Sequence, residues 1–108
     1  MVRIQNSVNK HIRQMVKRIV TQFHPEKIIL FGSHARGDGT DDSDADLLVV
    51  MNVSGSKRRQ ATEIDMALEG IPLPADIIVA TPTELENGRD IVGSIIREAV
   101  HEGKVLYE

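Results

Sequence analysis

The residues best suited to chemistry are three aspartates and a glycine-serine turn. Asp44 and Asp46 stand two apart in Ser43-Asp44-Ala45-Asp46, at the entrance to the apolar run Leu47-Leu48-Val49. Side chains alternate along a strand, so the two carboxylates are expected on one side of it. Carboxylates this close repel and raise each other's pKa unless a cation stands between them. Hard oxygen ligands of this kind suit Mg²⁺, which takes one or two carboxylates together with substrate phosphates and water. Asp76 opens a later apolar run, Ile77-Ile78-Val79-Ala80. If that strand lies beside the first, three carboxylates can hold two Mg²⁺ ions about 3.5–4 Å apart and clamp an in-line phosphoryl displacement. In this scheme Asp44 and Asp46 bridge both ions and hold a triphosphate. Asp76 then ligates the ion that lowers the pKa of the attacking hydroxyl.

The other half of the expected site is Gly32-Ser33, where an apolar run stops. Glycine lets backbone approach a phosphate closely, and a helical turn beginning there directs free N–H groups at it. Ser33 adds a hydroxyl donor. Arg36 either grips phosphate or pins the acidic loop to the sheet, and the second role is the slightly better fit. The competing reading of Asp44 and Asp46 is a solvated acidic turn. The coincidence of Gly32-Ser33, the spacing and Asp76 weighs against it. A calcium loop over Asp38 to Asp46 fails, because neither its central glycine nor its closing glutamate falls at the required position. Asp38, Asp41 and Asp42 read as solvated loop charges, and His34 as a loop-facing side chain. His11, His24 and His101 have no partners at metal-ligand spacing.

Which elements must position these groups? Val8, Ile12, Met15, Val16, Ile19, Val20 and Phe23 trace one face of a helix that His24-Pro25 ends. Ile28-Ile29-Leu30-Phe31 reads as a strand buried on both faces. A loop from Gly32 to Ser43 follows, with one helical turn at His34 to Arg36, and then a strand from Asp46 to Met51. Ser54-Gly55-Ser56 offers a turn and cap for a helix from Lys57 to Glu69. Its opening Lys57-Arg58-Arg59 reads as a solvated helix end rather than a phosphate site. Pro72 and Pro74 suggest that the third strand, Asp76 to Ala80, starts late or lies near a sheet edge. Thr81-Pro82-Thr83-Glu84 predicts a capping box with proline at the first helical position, on a helix ending near Asn87-Gly88. A last helix carries Ile91, Ile95, Ile96, Ala99 and Val100 as a core stripe, with Gly103 as its cap. Val105-Leu106-Tyr107 adds a terminal strand.

The bulk properties narrow the function classes. The 108 residues suit one domain, spanning 1–108, and the 41% apolar content is too high for a disordered chain. Phe23, Phe31 and Tyr107 are the only aromatic residues, which argues against binding single strands through stacked bases. A net charge of −3 disfavours a dedicated nucleic-acid surface. With no cysteine, disulfides, thiolate metal sites and cysteine nucleophiles are excluded. Met1 to Lys10 lacks the apolar stretch of a signal peptide, and no apolar run reaches membrane-spanning length, so a cytoplasmic location is expected.

Gly-Ser, ten residues, then Asp-x-Asp on a strand, with a later aspartate opening another, resembles the DNA polymerase β-like nucleotidyltransferase superfamily. The string Gly32-Ser33-His34-Ala35-Arg36-Gly37-Asp38, continued by Ser43-Asp44-Ala45-Asp46-Leu47-Leu48-Val49, looks most like its minimal members, the partners of HEPN-domain toxins. The ending, Ile95 to Ala99 and Gly103 to Tyr107, is similar to that group as well. The resemblance implies an α/β fold of α+β type, a small mixed sheet flanked by helices in a single domain. It also implies Mg²⁺, an NTP substrate (ATP for the toxin-paired members), and AMP transfer to a tyrosine of a HEPN partner, which silences the toxin's RNase activity. Larger relatives carry a second helical domain for base or acceptor. The chain has no residues left for one, so a hetero-oligomeric partner or a second copy is expected to supply those contacts. Two other functions stay open: a non-catalytic subunit that neutralises a toxin by binding it, and a transferase acting on RNA or a small molecule.

Overall fold

The computed structural model describes residues 9–40 and 42–108. Val8 and Asp41, both invoked above, lie outside them. The first helix, α1 (Lys10–Phe23), starts at Asn9, whose side chain accepts from the His11 N–H at 2.7 Å. Ile12, Met15, Val16 and Ile19 are wholly buried along one stripe. It ends where expected: His24 takes the left-handed conformation (φ 49°) ahead of Pro25.

The chain then runs β1 (Lys27–Phe31), α2 (Ser33–Arg36), β2 (Ala45–Val50), α3 (Lys57–Ala67), β3 (Ala75–Ala80), α4 (Pro82–Gly88), α5 (Ile95–Glu102) and β4 (Lys104–Tyr107). The four strands form one mixed sheet in the order β3-β2-β1-β4. β1 is antiparallel to both neighbours, and β2 is parallel to β3. The parallel pair requires a crossover, and α3 provides it.

Both sheet faces are covered, which explains the unbroken apolar runs in β1 and β2. Ile28, Leu30, Leu47, Val49 and Leu106 face the layer that contains α1 and Ile64 of α3. Ile29, Phe31, Leu48, Val50 and Ala80 face Ala99 of α5, with Leu85 and Ile96 packed alongside. Arg18 ties the two helices of the first layer together. Its Nη1 donates to the carbonyls of Ala67 (3.1 Å) and Glu69 (2.8 Å), capping the end of α3.

The capping box of α4 forms as the sequence predicts, with Thr81 and Glu84 bonded reciprocally at 2.9 and 3.1 Å. The last helix differs from expectation. It begins at Ile95 behind a Ser94 cap, because Gly93 (φ 86°) breaks the chain direction after Ile91. Ile91 is therefore exposed instead of continuing the stripe, and Ile95, expected in the core, is 49% exposed. Gly103 does follow α5, but in extended conformation. Glycine is required there because a β-carbon would press on the carbonyl oxygens of Ala99 and Leu30.

Candidate active site

The ends of β1, β2 and β3 meet on one rim of the sheet, and Gly32, Ser33, Asp44, Asp46 and Asp76 lie at those ends or next to them in the chain. Phe31, the last residue of β1, pairs in register with Asp46. On the other side Asp46 pairs in register with Asp76. The two aspartates therefore sit side by side on adjacent strands with their side chains on the same face, that of Leu48, Val50, Ile78 and Ala80. Asp44 lies two residues before Asp46, just ahead of β2. Asp46 is half-buried, whereas Asp44 and Asp76 are exposed.

Electrostatics reflects this crowding. Partial burial, then the negative charges of Asp76, Asp44 and Glu98, push the Asp46 carboxyl above its ordinary pKa, and His34 offsets part of the rise. A cation would relieve that repulsion, and three carboxylates with no soft ligand nearby form an oxygen donor set of the kind that suits Mg²⁺. Among the described residues no three acidic or histidine side chains are already drawn together into an ion-binding cluster. Shared strand register brings the aspartates to one rim without converging their carboxylates.

Gly32 lies directly against Asp46. Its φ of 74° is a conformation that favours glycine, and a β-carbon there would overlap the Asp46 carboxylate oxygen. The single turn of α2 follows. The Gly32 carbonyl accepts from Ala35 and Arg36 at 3.1 Å, and the Ser33 carbonyl accepts from Gly37 and Asp38. The N–H groups of Ser33 and His34 have no place in the turn's own bonding. The Ser33 hydroxyl has no partner among the described residues.

His34 holds the loop. Its Nε2–H donates to the Ser43 carbonyl at 2.9 Å, and its ring covers Gly39, where a β-carbon would overlap it. Ser43 is further braced by its hydroxyl, which accepts from the Thr40 N–H at 3.0 Å. His34 thus fixes the backbone immediately before Asp44. Arg36 pairs with Asp38 at 3.5 Å within the loop, with both side chains exposed, and has no ion pair with the aspartate row among the described residues. Asp42 is likewise exposed. Lys57 pairs with Glu84, which lowers that carboxyl's pKa, and Arg59 lies 3.9 Å from Glu63. Glu98 is the charge that sequence reasoning missed. It precedes Ala99, the α5 residue buried on the sheet, and no local pattern announces that its charge acts on Asp46.

Residues 11–106 match the family model of the nucleotidyltransferase domain. The chain belongs to that family. This nucleotidyltransferase is 33% identical over 102 residues to a "Putative protein adenylyltransferase" of Methanocaldococcus jannaschii, covering 91% of this chain and 96% of that one. Its fold is similar to that of a solved nucleotidyltransferase from Sulfolobus solfataricus, with a TM-score of 0.56 and 27% identity over 72% of this chain and 70% of that one. The same fold recurs in a solved MntA–HpeT toxin–antitoxin variant (TM-score 0.58, 18% identity). It recurs again in a toxin–antitoxin crystallised with AMP-PNP (TM-score 0.57, 21% identity); each comparison covers 88% of this chain and 71% of the other.

Proposed function

We propose that the enzyme transfers AMP from ATP to a tyrosine of a partner protein, a toxin of the HEPN type, and so acts as its antitoxin. The observation that carries this reading is the register row of Asp46 and Asp76, extended by Asp44 and backed by Gly32. The protein-adenylyltransferase relative, matched over nearly the full length of both chains, favours a protein acceptor over RNA or a small molecule.

The division of labour follows from position. Asp44, Asp46 and Asp76 would hold two Mg²⁺ ions, and the burial and neighbouring negative charge that raise the Asp46 pKa favour a cation there. When bound, Mg²⁺ neutralises triphosphate charge and lowers the pKa of the attacking hydroxyl. Gly32 admits a phosphate close to the backbone, and the Ser33 hydroxyl and the free N–H groups of α2 donate to it. His34 is a positioning residue that keeps Asp44 at the rim. In the transfer itself the tyrosyl oxygen bonds to the α-phosphorus, and the bond from that phosphorus to the bridging oxygen breaks. Pyrophosphate leaves, and the hydroxyl proton passes to water.

The test is label transfer from α-labelled ATP and Mg²⁺ into proteins of the native host, beside an Asp44→Asn, Asp46→Asn double variant. A protein band labelled by the wild type alone is the expected result. Equal patterns with all four NTPs would sink protein modification and put the non-catalytic binding subunit first.

A further inference from the structure

β3 occupies one end of the sheet, so among the described residues its outer edge has no strand beside it. Open edges are normally blunted by charge, proline, irregularity or shortness. The other edge strand obeys this: β4 has four residues, starts with Lys104, and pairs with β1 through a register irregularity at Ile28/Ile29. β3 does not. It runs six residues in unbroken register, with Asp76 as its single charge and its prolines, Pro72 and Pro74, outside the strand. Ile77 and Ile78, on opposite faces, are only half-buried, whereas Leu47 and Leu48 beside them in β2 are fully buried.

The edge is flanked by a cleft on either side. On the α5 side Ile78, Ile95 and Ile96 line a mainly apolar hollow of about 280 Å³, which the Lys57–Glu84 pair also lines. Ile95 and the neighbouring Val92, 84% exposed, extend its apolar character outward. On the α3 side Arg58, Thr62 and Asp65 line a polar hollow of about 260 Å³ along the Ala75–Ile77 stretch of β3. The Arg58 guanidinium, unlike the Lys57 and Arg59 side chains, has no carboxylate partner among the described residues.

We propose that this edge takes up an extended segment of the acceptor protein as a fifth strand, with the accepting tyrosine set beside Asp76. The proposal rests on the protein-acceptor reading above. An extended polypeptide supplies backbone donors and acceptors along the whole edge, and its alternating side chains match clefts on alternate faces. The register then dictates a recognition pattern. A tyrosine facing the α5 side meets the aspartate row at Asp76. The next residue turns to the α3 side, where Arg58, which has no ion pair among the described residues, can take an acidic side chain. The residue after that returns to the α5 side against Ile78 and Ile95 and is apolar. The order is Tyr-acidic-apolar or its reverse, depending on strand direction.

The experiment uses the full chain, Mg²⁺ and labelled ATP with synthetic peptides containing Tyr-Glu-Val or Val-Glu-Tyr, each also made with alternate backbone amides N-methylated. The expected result is labelling of one direction, lost on N-methylation. Ile95→Lys, at an exposed position that folding tolerates, should raise the peptide KM about ten-fold or more while the ATP KM stays within about two-fold. Equal labelling of methylated and unmethylated peptides overturns the proposal. So does an elution volume showing a dimer that Ile95→Lys dissolves, because the edge is then covered by a second copy. If lysate proteins are labelled but neither peptide is, unchanged lysate labelling by Ile95→Lys overturns edge docking and leaves protein modification standing. No label in any protein overturns both.

Discussion

At the scale of single residues the site is built on tension. Asp46 ionises against partial burial and its acidic neighbours, so its folded-state pKa lies above that in the unfolded chain. The sign follows from linkage: a raised carboxyl costs nothing while protonated in both states, and its ionised form penalises the fold as pH rises through the folded value. Asp46→Asn is therefore expected to melt higher than wild type at pH 7 without metal, the gap closing as pH falls toward the carboxylate range. Thermal melts across that range check it, and a variant less stable at pH 7 contradicts it. The place of Asp46 at the entrance to β2 was legible from the apolar run after it, whereas Asp44 lies just ahead of the strand, outside its alternation. The Arg36–Asp38 pair was not legible, because nothing local chooses between a sheet contact and a neighbouring carboxylate. Glu98 was hidden for the opposite reason, since its effect on Asp46 depends on where a helix distant in sequence packs.

Elements were most readable where their ends carry chemistry. Thr81-Pro82-Thr83-Glu84 and His24-Pro25 each encode a boundary through specific backbone bonds and dihedrals, and both boundaries fall where those residues place them. The start of α5 was misjudged because Ile91 fits the helical period but lies before Gly93, whose positive φ lies outside the helix. Sheet order has no local signature: Asp76 reaches Asp46 only because β3 pairs parallel to β2. That crossover is anchored by Arg18, which joins α1 to the carbonyl end of α3. Arg18→Ala removes a donor from two carbonyls and should cost about 1–2 kcal/mol. For a domain this size that lowers Tm by roughly 5–10 °C. An unchanged denaturation midpoint would show the clamp to be idle.

At the scale of the whole molecule, a radius of gyration of 12.8 Å leaves little interior, and the site lies on an open rim. A small domain is correspondingly responsive to what it binds. Ligand at about one hundred times its Kd adds roughly 2.7 kcal/mol, which for a chain of this length raises Tm by about 10–20 °C. Mg²⁺ with a non-hydrolysable ATP analogue should produce that rise in the wild type and not in the Asp44→Asn, Asp46→Asn variant. A rise that survives EDTA would remove the metal from the scheme. The parallel pairing of β2 with β3 also has a kinetic meaning. β1 and β2 can meet across one short connection, but the row from Asp44 to Asp76 exists only after the chain has travelled through α3 and returned. Contacts so separated along the chain are slow to form. A half-folded molecule therefore holds the Gly32 turn and two aspartates without Asp76 beside them, and the proposed capacity for catalysis arrives only once β3 docks.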